Sequence, residues 1–321
     1  MEGSYCLKGV PQKNKSTSAN RADECRYFET ELMEVMFKMY RSMLLLAVLM
    51  SFPAQGAEVR TSDISADTYV VTLIGKIEHG DYDRLVAVIK KTHAFPSGLW
   101  INSPGGDVVE ATKIGSLARK ALLQTVALGQ CDSACFILWV GGAVRSAWVP
   151  IGIHRPVYDK SYFSNLSAED ARKKYSELDQ AIREYLDYMN VPRALAEEMM
   201  QTPSDRARFI WKSEVSEKIG EQAPSYYEWL LAKCGNLSQK EQDDLQLVFM
   251  GMANEGAKKK LQANTRDSDA RKMVRETETD AQRANKFSKG YVDYLLKKGE
   301  EQGTCKASAI RAEQQKILKT L

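Results

Sequence analysis

The sequence is poor in the residues on which several classes of site depend. Its 321 residues include only three histidines and six cysteines, and no two cysteines are spaced as Cys-x-x-Cys. That spacing supplies ligands in many structural zinc sites, so we expect no bound metal. A net charge of +3, with basic and acidic residues well mixed, argues against a nucleic-acid partner. With 44% hydrophobic and 27% charged residues, the composition is that of a soluble globular protein.

The sequence also lacks an apolar run long enough to span a membrane as a helix. Its most apolar stretch, residues 43–52, has about 10 residues, whereas a spanning helix needs about 20. Lys38 and Arg41 precede this run and small residues follow it, which is the organisation of a secretory signal. We therefore expect export to the periplasm or the medium, with cleavage after Gly56 or Ala57.

The same segment has two other interpretations, a buried core helix or an uncleaved anchor that would associate the protein with the inner membrane. The stretch before it is polar and long for a signal, so Met36 or Met39 is a candidate start. The signal would then cover residues 36–57. We assign residues 1–57 to an N-terminal extension and signal.

Export would place the remaining cysteines in an oxidising compartment, where disulfides persist. Removal of residues 1–57 would leave four: Cys131, Cys135, Cys234 and Cys305. Four cysteines allow three pairings. For Cys131 and Cys135 we expect two buried thiols, with a disulfide as the alternative. For Cys234 and Cys305 both states are open.

Strand-like and helix-like segments alternate through the first half of the expected mature chain. YVVTL, SGLWI, TVALG and AWVPIGIH are short apolar runs typical of strands. DYDRLVAVIKKTHAF, DVVEATKIGSLARKALL and SACFILWVGGA lie between them and have helical spacing. This alternation predicts βαβ units and an α/β fold with a largely parallel sheet.

Between Ser167 and Met200 the pattern changes to that of long helices. SAEDARKKYSELDQAIREYLDYMN begins with a Ser-x-x-Asp capping signal, and Pro192 begins another helix. From about residue 226 onward, apolar residues recur three and four apart among charged ones. We therefore divide the mature chain into an α/β domain, residues 58–225, and a C-terminal helical region, residues 226–321.

The stretch INSPGGDVVEA places two glycines between a predicted strand and a predicted helix. Gly105 and Gly106 allow a sharp turn and a close approach by another group, because neither has a side chain. Backbone N–H groups at such a turn can hold an anion or a polarised carbonyl. An ordinary strand-to-helix turn has the same signature.

A serine and a histidine follow at similar junctions. In GQCDSACFILWVGGA, Ser133 stands where a strand gives way to a helix, a position equally suited to a helix N-cap. In VPIGIHRP, His154 ends the next apolar strand. Histidine is the base that most often activates a serine hydroxyl near neutral pH, although a single strand-end histidine is often structural. Neither His79 nor His93 has a comparable motif near it in the sequence, and we assign both to the surface.

Together, INSPGG, GQCDSACF and GIHRP resemble the proteolytic subunit of the Clp protease (ClpP), within the crotonase-like fold. In that family a Pro-Gly-Gly strand end is followed by Gly-x-x-x-Ser at a helix start and then by Ile-His-x-Pro. The resemblance covers roughly residues 69–220, with a helical insertion at residues 165–200, and RARFIWKSEVSEKIG is similar to the family's Arg-Phe segment. It implies a ClpP/crotonase-like fold of stacked βαβ units, to which the C-terminal helical region is an addition.

The resemblance also implies a mechanism that needs neither metal nor organic cofactor. Ser133 would attack a carbonyl carbon, and His154 would take the hydroxyl proton and return it to the leaving group. The backbone N–H groups of Gly106 and Ala134 would hold the oxyanion. A substrate strand would pair along Gly105 and Gly106.

The family's orienting aspartate has no direct counterpart in this sequence. Alignment places Pro203 or Ser204 at that position, and Asp205 is the nearest carboxylate. Asp205 is therefore the candidate third catalytic residue. A Ser-His dyad, or Thr202 or Ser204 in the orienting role, is open, and Asp205 is equally interpretable as a helix cap or a surface charge.

We therefore expect an exported serine hydrolase, in the first place a peptidase acting on a peptide or protein. A catalytically inactive scaffold whose helical region binds a protein partner is one alternative. An acyl-transfer or thioester-cleaving enzyme is another. Export would separate the protein from a cytoplasmic ATP-driven unfoldase, whereas the insertion helices could support a homo-oligomer. The chain has a similarly remote likeness to signal-peptide peptidases, which use serine and lysine on the same fold.

Overall fold

The computed structural model describes residues 56–92, 94–156 and 163–321. The expected signal peptide therefore lies outside the described residues except for Gly56 and Ala57, and His93 lies outside them as well. Within the described ranges, no helix combines the length and the apolar character that crossing a membrane requires.

Five strands form the central sheet: β1 (Glu58–Ser65), β2 (Thr68–Ile74), β3 (Phe95–Ser103), β4 (Gln124–Cys131) and β5 (Val144–Ala147). They lie side by side in the order of the chain. β1 is antiparallel to β2, and the other neighbouring pairs are parallel. The predicted α/β class with a largely parallel sheet is confirmed.

Three helices make the crossovers that parallel strands require: α1 (Asp81–Lys91), α2 (Val108–Lys120) and α3 (Ala134–Trp139). Asp107 caps α2, because its carboxylate accepts hydrogen bonds from the N–H groups of Val109 and Glu110. Every residue of α3 is buried in the main hydrophobic core. The helix that follows Ser133 is therefore held on all sides by packing.

A second, smaller sheet pairs β6 (Ile151–Ile153) with β7 (Arg208–Ile210) in antiparallel register. The predicted single strand at AWVPIGIH is wrong in this detail, because it is divided between β5 and β6 around Pro150, which has no N–H to donate to a ladder. Between β6 and β7 lie α4 (Ala168–Tyr188) and α5 (Arg193–Gln201). The Tyr185 hydroxyl donates to the Ile137 carbonyl at 2.9 Å, which anchors this insertion on α3.

The chain after β7 is helical. It contains the short α6 (Lys212–Glu214) with a π-helical turn (Val215–Ile219), and then α7 (Pro224–Cys234), α8 (Gln239–Ala263), α9 (Ser268–Ala284) and α10 (Lys289–Leu318). The end of α10 returns to the sheet, where the buried Gln314 side chain donates to the carbonyls of Pro96 and Ala121 at 2.8 and 2.9 Å. The predicted C-terminal helical region is confirmed.

Four cysteines form two disulfides, Cys131–Cys135 and Cys234–Cys305, with Cα–Cα distances of 5.2 and 5.7 Å. The expectation of two buried thiols at Cys131 and Cys135 is wrong, because the turn between them brings the two Cα atoms within bonding range. The second disulfide joins α7 to α10. Disulfides persist in oxidising compartments, so both pairs indicate an extracytoplasmic environment.

Candidate active site

The turn after β3, the turn after β4 and strand β6 meet at the carboxyl ends of β3 and β4. The N–H of Asp132, in the β4–α3 turn, donates to the carbonyl of Ser103 at the end of β3. Asp132 also forms an isolated parallel bridge with Gly152 in β6. Parallel strands present their carboxyl ends at one edge of the sheet, where ligand sites of α/β folds usually lie. Ser133 and His154 adjoin this edge.

Ser133 has an uncommon backbone conformation, with φ 58° and ψ −123°. Leu122 and Asn190 are the only other non-glycine residues with positive φ in the described ranges. Such conformations cost on the order of 1–3 kcal/mol and cluster at functional sites. The Ser133 N–H donates to the Gly152 carbonyl at 2.8 Å, and its side chain accepts no capping hydrogen bond from α3. The hydroxyl is therefore not used as a helix cap.

Gly105 lies against the Ser133 turn so closely that no side chain fits. A Cβ at Gly105 would stand 2.7 Å from the Ser133 Cβ and 3.0 Å from the Ala134 nitrogen. Gly105 and Gly106 have φ values of 96° and 141°, which glycine alone adopts readily. The N–H groups of Gly106 and Ala134 donate to no acceptor in the described part of the chain. Both donors that the ClpP-like resemblance implies for an oxyanion are thus unpaired in these ranges.

The Cys131–Cys135 disulfide brackets Ser133. Cys131 is the last residue of β4, Cys135 lies in the first turn of α3, and both are buried. The bond joins the end of the strand to the start of the helix across the strained residue. It therefore limits how far this turn can relax.

His154 directly follows β6 and is half-buried. Its Nδ1 lies 2.9 Å from the Arg155 carbonyl oxygen. A carbonyl can only accept, so Nδ1 carries the proton in this contact, and Nε2 of the neutral ring keeps a free lone pair. Nε2 is then the nitrogen able to accept a hydroxyl proton. The ring and Ser133 Oγ are not hydrogen bonded to each other in this structure.

The segment of the predicted third residue lies beside His154. The Arg155 N–H donates to the Thr202 carbonyl at 2.9 Å. Asp205 is exposed, and within the described residues its carboxylate makes neither a hydrogen bond nor an ion pair with the His154 ring. The Thr202 hydroxyl donates to a carbonyl of its own helix, and the Ser204 hydroxyl has no partner in these ranges. Of these groups, only the Arg155 carbonyl is hydrogen bonded to the ring.

One edge of the Gly105–Gly106 turn already pairs with a neighbouring loop. The Ile77 N–H donates to the Gly105 carbonyl, and the Asp107 N–H donates to the Ile77 carbonyl, both at 2.8 Å. Ile77 and Gly106 thus form an isolated parallel bridge, and a Cβ on Gly106 would overlap the Ile77 carbonyl. The Gly105 carbonyl is thus already paired, whereas the Gly106 N–H remains free in the described residues.

A buried carboxylate, Glu110, lies in the first turn of α2, the helix that follows the glycine turn. It accepts hydrogen bonds from the Tyr82 N–H at 2.9 Å and from Lys113 Nζ at 2.8 Å. Burial alone would raise the pKa of Glu110, but these hydrogen bonds outweigh it and lower the pKa below its ordinary value. Glu110 therefore stays ionised and holds α1 against α2. His79, nearby, is exposed as predicted.

Sequence reasoning missed two components of the site. The Arg155 carbonyl belongs to the backbone, which every residue has, so no residue type marks it. Ile77 lies in a loop without a motif, although its place just after β2 is a signal that it adjoins the same sheet edge.

No group of three or more His, Cys, Asp or Glu side chains is placed to hold a metal ion within the described ranges.

No model of a known protein family matches this chain, and no curated protein matches it either. Neither a family nor an activity follows from similarity. The residues at the strand ends are the basis for assigning a function.

Proposed function

We propose that the protein is a serine hydrolase of the ClpP/crotonase-like fold that cleaves peptides or proteins outside the cytoplasm. The observation that carries the proposal is the geometry at Ser133. Its backbone is held at positive φ, its hydroxyl is free of the helix cap, and the unpaired N–H groups of Gly106 and Ala134 adjoin it. A serine that served only as a helix cap would need neither the strain nor the free donors.

In the proposed reaction, His154 Nε2 accepts the hydroxyl proton as Ser133 Oγ bonds to the substrate carbonyl carbon. The carbonyl π electrons move to the oxygen, which accepts hydrogen bonds from Gly106 and Ala134. Collapse of this intermediate breaks the bond to the leaving amine, and the His154 ring gives that amine its proton. Water then attacks the acyl group in the same way and releases Ser133. Each oxyanion donor contributes on the order of 10²–10³ in rate.

The proposed catalytic pair is a Ser-His dyad whose orienting group is the Arg155 carbonyl. A hydrogen bond to Nδ1 fixes the tautomer that leaves Nε2 free, which is the principal task of the aspartate in a triad. The carbonyl carries no full negative charge, so it stabilises the imidazolium less than a carboxylate would. We therefore assign Asp205 no catalytic role in this proposal.

The fold and the location are supported by separate observations. The glycine turn before α2, Ser133 before α3 and His154 after β6 follow the order of the ClpP-like motifs. The two disulfides support an exported protein, and the segment from about residue 36 to the cleavage site supplies the signal for it. By the same likeness, α4 and α5 would contact neighbouring copies in a homo-oligomer.

A second candidate function is binding of a protein partner through the helical region. On α8, the side chains of Phe249 and Met252 are 53% and 57% exposed. Exposed large apolar side chains close together favour an interaction surface. In this alternative the geometry at Ser133 would be a relic of an ancestral enzyme.

Labelling with a fluorophosphonate probe distinguishes the two candidates, because only an activated serine reacts readily. The full chain is expressed and exported, and the probe is added to wild type, Ser133→Ala and His154→Ala. Ser238→Ala is the matched control, because Ser238 also precedes a helix but accepts a capping hydrogen bond from the Glu241 N–H.

The hydrolase proposal predicts labelling of wild type and Ser238→Ala and its loss in the other two variants. Mass spectrometry of the labelled peptide should place the adduct on Ser133. Absence of labelling in folded wild type would exclude an activated Ser133 and favour the binding function. Labelling that survives Ser133→Ala would exclude this residue as the nucleophile.

A further inference from the structure

Ala57 is buried, although it stands between the expected signal and β1, where a flexible linker would be exposed to solvent. Its side chain and backbone together are 3% exposed, and its N–H donates to Asp81 Oδ2 at 3.2 Å. Asp81, the first residue of α1, is 0% exposed. A buried carboxylate is unfavourable unless hydrogen bonds or positive charge compensate it. The groups that contact Asp81 therefore show how its buried charge is compensated.

The two oxygens of Asp81 face different partners. Oδ1 accepts from the guanidinium of Arg84, with Nε at 3.0 Å and a closer contact from its Nη. The Arg84 side chain is itself about half exposed. Within the described ranges, Oδ2 accepts only from backbone N–H groups, those of Ala57 and of Glu78, the latter at 2.6 Å. A second positive charge at the Ala57 nitrogen would thus meet the oxygen that Arg84 does not use.

The sequence before Ala57 allows that charge to be created. Signal peptides are cleaved after small residues at the first and third positions before the scissile bond. Cleavage after Gly56 puts Gly56 and Ala54 at these positions. Cleavage after Ala57 would put Gln55 at one of them and would remove the N–H that binds Asp81.

We infer that the mature chain begins at Ala57 and that its α-ammonium forms a buried ion pair with Asp81. A signal peptidase would hydrolyse the Gly56–Ala57 bond: the oxygen of water joins the Gly56 carboxylate, and the Ala57 nitrogen becomes an amine. That amine is protonated at neutral pH, since its ordinary pKa is about 7.7–8.0. The inference rests on the export part of the proposed function and not on its chemistry.

Cleavage changes the character of a contact that already exists. An amide nitrogen offers Asp81 one uncharged N–H, whereas an ammonium offers three N–H groups and a full charge. The added charge brings a direct Coulomb attraction to the Asp81 carboxylate, and this attraction is stronger at a site shielded from water than in bulk solvent. β1 begins at the next residue, Glu58, so the ion pair would fasten the edge strand of the sheet to α1.

The first test is the N-terminus of the exported protein. The full chain is produced in a bacterium, the extracytoplasmic fraction is purified, and the intact mass and the N-terminal peptide are measured. The inference predicts Ala57 as the first residue. A chain that begins at Glu58, at any other residue, or without cleavage overturns it.

The second test is the reactivity of the α-amine in that protein. We expect an isotopically labelled anhydride to acylate the Ala57 amine at least tenfold more slowly in native protein than in urea. Asp81→Asn should abolish most of this protection, whereas Asp83→Asn, at an exposed position of the same helical turn, should preserve it. If Asp81→Asn does not fold, the wild-type comparison decides, because equal native and unfolded rates exclude a buried ion pair. Fluorophosphonate labelling of the same sample reports separately on Ser133.

Discussion

The N–H of Ser133 donates a 2.8 Å hydrogen bond to the carbonyl of Gly152, which joins the turn of the proposed nucleophile to the strand that leads to the proposed base. His154 lies two residues beyond Gly152, directly after the end of that strand. No side chain fits at Gly152, because a Cβ there would overlap the Asp132 carboxylate. This hydrogen bond and the Asp132–Gly152 bridge therefore fix the relative position of two motifs that are distant in sequence.

The positive φ of Ser133 predicts a conflict between stability and activity. In Ser133→Gly the strained conformation becomes accessible without a Cβ, so the free energy of unfolding should rise by about 1 kcal/mol. Ser133→Ala keeps the Cβ and should stay near wild type. Both variants should lose fluorophosphonate labelling. Urea denaturation of the three proteins measures the difference, and a Ser133→Gly protein less stable than Ser133→Ala would contradict a strained Ser133.

The contact of His154 with the Arg155 carbonyl predicts that Asp205 is dispensable. Asp205→Asn should change the initial rate of fluorophosphonate labelling by less than about threefold, whereas His154→Ala should lower it by about 10² or more, the usual contribution of a general base. The pH profile of labelling should likewise be the same in Asp205→Asn and wild type. A loss in Asp205→Asn as large as that in His154→Ala would make the aspartate the orienting group.

The parallel part of the fold was predictable because its strands are apolar runs separated by helical periods. β1 was not predictable, because nearly all of its residues, EVRTSDIS, are exposed and it has no apolar alternation. It becomes a strand by pairing with β2 from Glu58 to Ser65, with an irregularity at Ile64, and this pairing depends on tertiary contact rather than on the local pattern.

The same distinction applies to the site. The turns at Gly105, Gly106 and Ser133 were predictable, because glycine and serine between a strand-like and a helix-like segment mark a turn. The orientation of the His154 ring was not, because a backbone carbonyl supplies it. Nor was the Cys131–Cys135 bond, since a separation of four residues is compatible with many Cα distances and only the turn at Ser133 sets 5.2 Å.

The packing of Gly105 predicts that a methyl group there disrupts the site. In Gly105→Ala the new Cβ would lie 2.5 Å from the Asp132 carbonyl oxygen and would meet the Ser133 Cβ, so we expect loss of labelling and about 2–3 kcal/mol of destabilisation. Gly235→Ala is a matched control, because Gly235 also has positive φ but nothing lies near its Cβ position. It should cost about 1 kcal/mol and leave labelling unchanged. Equal effects of both variants on labelling would contradict a packing role for Gly105.

The lowered pKa of Glu110 predicts an acid-dependent loss of stability. A carboxylate whose pKa is lower in the folded state stabilises the protein above its ordinary pKa of 4.5, and this stabilisation disappears as the pH falls through the folded value. Glu110→Gln should therefore be less stable than wild type at pH 7, by about 1–2 kcal/mol, and the difference should shrink below pH 4.5. Urea denaturation from pH 7 to pH 3 measures this. Glu228→Gln, at an exposed site without an ion pair in the described ranges, should show no such convergence.

The two disulfides should have separable effects. The bond between Cys234 and Cys305 closes a loop with a separation of 71 residues, so its loss should cost about 4 kcal/mol by the chain-entropy model. The bond between Cys131 and Cys135 spans only four residues, for which the same model gives roughly 2 kcal/mol. Its particular function, in our proposal, is to hold the Ser133 turn.

The corresponding experiment compares two double variants, Cys131→Ala with Cys135→Ala and Cys234→Ser with Cys305→Ser. The first should slow fluorophosphonate labelling by about tenfold or more at temperatures where the protein is fully folded, because the turn can relax away from positive φ once the bond is absent. The second should lower the urea midpoint more strongly yet label at the wild-type rate. A labelling rate that followed global stability in both variants would mean that the Cys131–Cys135 bond does not position Ser133.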